Sequence, residues 1–185
     1  RVLTCNNNWD FHIEATTLLV PTLPSKLNEV NGYECGLIKK YLYHDTDKKV
    51  TPKRIYISRK KAGTRTVVND GEVLQFLQNF GFEEIVLETK TVGEQIALFS
   101  NAEMIAGPHG SAFMNIVFCR KEAILLDIIP DSNIVSCFYN LAAQCGVHYF
   151  GFIDKSKKVN SSKKNDNVEV NMVSFSRFFQ SILAV

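Results

Sequence analysis

Two arginines and a histidine are the residues of this sequence best suited to chemistry, because of their surroundings. Arg59 and Arg65 lie in the basic stretch Ser58-Arg-Lys-Lys-Ala-Gly-Thr-Arg65, and His109 lies in the turn Gly107-Pro108-His109-Gly110. Arginine's planar fork matches phosphate oxygens and stays cationic at any working pH. Histidine can donate to the same oxygens and changes charge near neutrality. Two glycines let backbone approach a ligand closely, and Pro108 stiffens the turn. Ser111 then opens a stretch of helical spacing, which turns amides and the positive end of a helix toward the turn. Asp127 falls inside an apolar run, and an acidic residue near phosphate donors suits ribose hydroxyls. Ser58, Arg59, Arg65, Gly107, Pro108, His109, Gly110, Ser111 and Asp127 together describe a nucleotide-diphosphate pocket without a metal cluster. A charge run alone is more often a solvated loop, and Asp127 is equally an edge-facing or water-bonded carboxylate. Position at the carboxyl ends of strands is what favours a site.

The elements that position these residues follow from apolar spacing. From Lys53 onward strands and helices alternate. Arg54–Ser58, Glu84–Leu87, Met104–Ala106, Glu122–Ile129 and Val147–Ile153 read as strands. Helices are expected over Gly71–Phe80, capped by Asn69-Asp70, and over Val92–Ser100, Ser111–Phe118 and Ile134–Cys145. Met172–Leu183 is a last amphipathic helix, and Gly81 and Gly146 each end one. Such alternation implies a parallel sheet with right-handed crossovers and helices on both faces, a Rossmann-like α/β fold. In that fold all strand carboxyl ends share one edge, where ligands bind. Glu94 and Gln95 could reach that edge from their helix, although exposure to solvent is the commoner place for such residues. Upstream, Phe11–Val20 reads as a strand, Asn6–Asn8 as a turn, Tyr33–Tyr43 as a short helix and His44–Pro52 as a charged connector. Residues 1–50 are therefore expected as an N-terminal segment and 51–185 as the Rossmann-like, nucleotide-binding domain. Lys155–Asn167, rich in Lys, Ser and Asn, is expected as a loop.

Composition narrows the classes. At 185 residues with 45% hydrophobic and 22% charged content, the chain has the makings of one globular domain with a sizeable core. A net charge of +2 gives no case for nucleic acid as a partner. No apolar run reaches the roughly 20 residues of a membrane span. The five cysteines show no Cys-x-x-Cys and no zinc-ligand spacing. Asn160-Ser-Ser is a glycosylation sequon, which by itself says little of compartment. The opening Arg1-Val-Leu-Thr reads as the interior of a longer protein.

At the same residues the chain resembles glycosyltransferase family 61. The resemblance rests on Arg54-Ile-Tyr-Ile-Ser-Arg59, Arg65, Asn69, Glu72, Phe80-Gly-Phe82, Glu94-Gln95, Phe99, Ala102-Glu103, Gly107-Pro-His-Gly110 and Asn115, with Leu18-Leu-Val-Pro21 upstream. It is strongest between Arg54 and Pro130. It implies the C-terminal, donor-binding half of a two-domain GT-B enzyme. It also implies inverting transfer of a sugar from a nucleotide diphosphate-sugar, UDP-linked, to a hydroxyl of a protein or polysaccharide acceptor, with no essential metal or other cofactor. Arg59, Arg65 and His109 are then expected around the diphosphate, with His109 stabilising the leaving group. An N-terminal domain of the same enzyme would hold the acceptor, and no general base is assignable here. Eukaryotic relatives work in the secretory pathway and bacterial ones in the cytoplasm. The chain departs from many relatives at Ser111, which is still small, and at Asp127, where Glu is common. A non-catalytic nucleotide- or glycan-binding module of the same fold is the alternative. A dinucleotide oxidoreductase is disfavoured by the lack of Gly-x-Gly-x-x-Gly.

Overall fold

The computed structural model describes residues 16–17, 30–43, 51–157 and 166–184. The expected turn at Asn6–Asn8, nearly all of the expected strand Phe11–Val20, most of the connector His44–Pro52 and the sequon at Asn160 lie outside them.

Short runs built around isoleucine, leucine and aromatic residues make the strands β1 (Arg54–Ile57), β2 (Glu83–Ile85), β3 (Met104–Pro108), β4 (Ile124–Pro130) and β5 (His148–Asp154). All pair in parallel, in the order β2-β1-β3-β4-β5. Helices α1 (Gly32–Leu42), α2 (Asp70–Gln78), α3 (Val92–Asn101), α4 (Cys137–Cys145) and α5 (Met172–Leu183) cover both faces. Alternation along each strand assigns the faces. Ile55, Ile57, Ile105 and Leu125 pack with Cys35 of α1, Phe99 of α3, Phe113 and Ile116, and Phe138 of α4. Tyr56, Met104, Ala106, Leu126, Ile128 and Phe152 point the other way, onto Val73 and Leu77 of α2 and Phe175 and Phe179 of α5. The expected parallel α/β sheet is thus present. Its order is that of the doubly wound class 2-1-3-4-5 rather than the 3-2-1-4 start of a dinucleotide-binding sheet. Helix α1, within the segment expected to precede the domain, buries Cys35 in this same core, and Lys39 Nζ donates to the Cys119 carbonyl at 2.9 Å.

Several elements differ from their sequence expectation, each for a tertiary reason. Ser111–Phe118 is a 3₁₀ helix, not an α-helix. Phe113, Ile116 and Cys119 recur every third residue and are almost fully buried, which three residues per turn accomplishes. The Asn115 amide also takes the Ala112 carbonyl, at 3.1 Å. β3 runs on through Gly107 and Pro108, because β4 continues beside it and pairs Gly107 with Asp127 and Pro108 with Ile128. Asn69 stands at the start of α2 without capping it. Its amide instead makes two 2.9 Å bonds to the Val170 backbone, Nδ2 donating to the carbonyl and Oδ1 accepting from the N–H. Helix α4 begins at Cys137 rather than Ile134, after a turn in which the Asn133 N–H donates to the Pro130 carbonyl. The stretch expected as a loop from Lys155 is bracketed by a small antiparallel pair, β6 (Ser156–Lys157) with β7 (Asn167–Val168). Val168 also bridges to Val67, so β7 ties down the end of the basic loop.

Cys35, Cys119, Cys137 and Cys145 are free thiols. Burial pushes the Cys119 and Cys145 thiols up from 9.0 to about 12, and burial also raises the Tyr56 and Tyr149 phenols. Folding therefore retains protons that the unfolded chain releases at alkaline pH. Their stabilisation is fully present below about pH 9 and is lost as pH climbs toward 12. The urea midpoint is expected to be flat from neutrality to pH 9 and to fall beyond it. A midpoint constant up to pH 11 would show that these groups are not enclosed as described.

Candidate functional site

In a sheet of this order the connection from β1 runs outward to β2 and the connection from β3 runs the opposite way to β4, opening a crevice at the carboxyl ends of β1 and β3. Both candidate motifs end there. Arg59 follows β1, and His109 follows β3. The strands approach closely because Gly107 lacks a side chain: a Cβ there would lie 2.7 Å from the Ile57 carbonyl oxygen. Gly110 has an extended φ of 178°, which any residue adopts, so its backbone conformation does not require glycine. A Cβ on Gly110 would lie 2.5 Å from Arg59 Nη1. The Arg59 guanidinium is therefore laid against the His109-Gly110 turn.

The basic loop is shaped by its own hydrogen bonds. Ser58 is buried, its N–H donates to the Ile85 carbonyl at 2.9 Å, and its hydroxyl accepts from the Lys60 N–H at 3.4 Å. Arg59 Nη2 donates to the Thr64 carbonyl at 3.3 Å. Burial lowers the Arg59 pKa, and the neighbouring charge of Arg65 pushes it the same way. Arg65 adopts φ 56°, a left-handed conformation uncommon for a residue with a side chain. Nε of both arginines is buried without a hydrogen-bond partner. Two like charges held together with unspent buried donors are the arrangement that an anion relieves. On the α2 side of Arg59 lies a cavity of about 290 Å³, lined by Arg59, Lys60, Ala62, Thr66, Val67 and Asp70. Asp70 accepts a hydrogen bond from the Tyr56 hydroxyl, and burial raises its carboxyl pKa.

His109 is enclosed, with 4% of its surface exposed. Its Nδ1 is 2.8 Å from Asp127 Oδ2, and its ring packs 4.9 Å from that of Phe138. Asp127 has no exposed surface. Its Oδ2 also accepts from the Tyr149 hydroxyl at 2.8 Å, while Oδ1 is buried without a partner. The carboxylate expected to meet a ribose thus faces inward, toward His109 and Tyr149. Ser111 is exposed and heads the 3₁₀ helix, whose first amides have no partner within it.

Glu94 and Gln95 serve the scaffold. Glu94 closes a capping box with Thr91. Gln95 Nε2 bonds the Leu87 and Lys90 carbonyls, and its Oε1 accepts from Asn115 Nδ2 at 3.2 Å. Arg54 Nη1 donates to the Phe80 carbonyl at 2.7 Å, securing the end of α2. Tyr149 and Phe138 are the site neighbours that sequence reasoning missed. A hydroxyl and an aromatic ring in apolar runs read as core, and their approach to His109 depends on the β3-β4-β5 register.

The chain is 25% identical over 138 residues to alpha-1,3-arabinosyltransferase XAT3 of Oryza sativa subsp. japonica, covering 69% of this chain and 23% of that protein. It is 29% identical over 109 residues to alpha-1,3-arabinosyltransferase XAT2 of the same organism, covering 55% and 18%. With beta-1,2-xylosyltransferase XAX1, also from rice, identity is 34% over 83 residues, covering 44% and 14%. The chain thus spans less than a quarter of the length of each. The family profile Glycosyltransferase 61 matches residues 3–126, which include β1, the basic loop, β3 and the Gly-Pro-His-Gly turn. With more than half of its residues matched, the chain belongs to glycosyltransferase family 61.

Proposed function

We propose that this chain binds the nucleotide diphosphate-sugar donor of an inverting, metal-independent glycosyltransferase. Arg59, Arg65 and His109 hold the diphosphate, and the cavity beside Arg59 takes a further part of the donor. The observation that carries the reading is the convergence of unpartnered Arg59 and Arg65 Nε groups with His109 at the β1/β3 crevice. Departure of a nucleotide diphosphate develops negative charge on phosphate oxygens. Preorganised cationic donors stabilise that charge at no cost in reorganisation. Family membership and relatives named for arabinosyl and xylosyl transfer support sugar transfer as the reaction class. By the family likeness the donor is UDP-linked, the acceptor a glycan or protein hydroxyl, and the architecture GT-B, with acceptor binding and the general base in another domain.

Calorimetric titration of the intact protein with UDP and UDP-sugars is the direct test. Saturable heat is expected with at least one of them. A folded sample that gives none with any nucleotide diphosphate removes the donor site. Arg65→Ala is expected to weaken UDP binding by ~1.5–3 kcal/mol, the worth of a hydrogen bond to a charged group. Wild-type affinity in that variant would take Arg65 out of the site. Chelation by EDTA is expected to leave UDP binding and sugar transfer unchanged. Activity lost to EDTA and restored by manganese would overturn the metal-independent mechanism.

A further inference from the structure

Asp127 sits in an unusual row of the sheet. Its in-register partners are Gly107 on β3 and Gly151 on β5, so no side chain flanks it on either strand. His109 and Tyr149 stand two residues from those glycines on the same face. The Tyr149 side chain folds over the space that Gly151 leaves. A Cβ on Gly151 would meet the Tyr149 ring at 3.4 Å and its hydroxyl oxygen at 3.5 Å. The Tyr149 hydroxyl and His109 Nδ1 then converge on one oxygen, Asp127 Oδ2, each at 2.8 Å. Phe138 closes over the imidazole, and Phe113 packs edge-on against Phe138 at 5.6 Å.

Hydrogen-bond roles in this chain follow from its chemistry. Burial, and then the adjacent carboxylate, hold the Tyr149 phenol above its usual range, so its hydroxyl remains a donor. An ionised carboxylate has only acceptors, so the imidazole must bring its proton on Nδ1. We propose that Tyr149 and Asp127 are positioning residues that fix His109 as the Nδ1–H tautomer and present Nε2 at the β1/β3 crevice. Tyr149 anchors the carboxylate, whose other oxygen has no partner to stop it turning. Nε2 is then the only ring nitrogen left for a ligand. It accepts when the ring is neutral and donates to a phosphate oxygen when the ring is doubly protonated. The ligand part of this inference rests on the diphosphate reading above; the tautomer does not. Asp127 and Tyr149 both lie beyond the residues matched to the family.

The test is nitrogen NMR of the intact protein labelled with 15N-histidine, with His109 assigned by its loss in His109→Gln. The wild-type ring is expected to carry its proton on Nδ1, and added UDP is expected to shift Nε2. A neutral ring protonated on Nε2 would overturn the proposal without reference to any ligand. An Nδ1–H ring that UDP leaves unmoved would uphold the positioning pair and remove the diphosphate from His109. Asp127→Leu combined with Tyr149→Phe removes together the carboxylate and the hydroxyl that holds it, and should release the single tautomer; its persistence would show that the pair does not hold it. Tyr149→Phe alone is the milder variant, and should weaken UDP binding about 3- to 10-fold. Unchanged affinity together with an unchanged ring spectrum would remove Tyr149 from the chain.

Discussion

Phe179→Ala is expected to destabilise the protein by about 3–5 kcal/mol, the range for emptying a buried phenylalanine position. Phe179 has no exposed surface. Its ring lies 4.9 Å from Phe80, 5.7 Å from Phe76, 5.9 Å from Phe82 and 6.4 Å from Phe175. These residues come from α2, its following turn and α5, so one truncation opens a void where the two helices meet. The surrounding rings are held by the sheet and cannot collapse to fill it. Urea unfolding at neutral pH measures the loss. A change below about 1 kcal/mol would mean that α5 is not packed on this face as described. The result also bears on the span of the domain, because α5 lies beyond the family match yet packs with α2 and β5 in the core on that face of the sheet.

Gly107→Ala is expected to cost about 3 kcal/mol or more, the top of the range for forcing atoms into a closed interior. The obstacle is backbone: the added Cβ would meet the Ile57 carbonyl oxygen at 2.7 Å and Ile57 Cβ at 3.2 Å. Relief requires β1 and β3 to move apart in the middle of a sheet paired on both sides. That movement also carries Arg59 away from the His109 turn, so the same variant should lose UDP binding wherever it still folds. Gly110 makes the contrast clear, because the atom in its way is the end of the flexible Arg59 side chain. Equilibrium unfolding of Gly107→Ala with wild-type stability would show that the strands are not as close as the structure places them.

The expected and observed elements agree where the information is local. From Lys53 onward every expected strand and helix has a counterpart, and Met172–Leu183 matches end to end. Apolar residues recurring at two or at three and four positions report a buried face without reference to the rest of the chain. The Arg59 loop and the Gly-Pro-His-Gly turn were legible for the same reason, as breaks that follow strands. Where two partners compete for one side chain, local rules fail. Asn69 has the type and place of a helix cap, but two bonds to the Val170 backbone, 101 residues away, take its amide. Ser111–Phe118 has spacing that suits an α-helix, but burial of Phe113, Ile116 and Cys119 on one side tightens it to three residues per turn.

The sequence by itself determined the α/β class and named Arg59, Arg65 and His109 as candidate residues at the carboxyl edge of the sheet. Those follow from periodicity, chain direction and side-chain chemistry. Only the tertiary structure decided the β2-β1-β3-β4-β5 order, which brings the ends of β1 and β3 together as the crevice. Only the register of three parallel strands decided that Asp127 falls between two glycines and turns to His109 and Tyr149. Strand order and register are set by contacts between residues far apart in the chain, where loops can close in many ways at nearly equal entropic cost. A carboxylate in an apolar run therefore cannot reveal its partner until the neighbouring strands are in place.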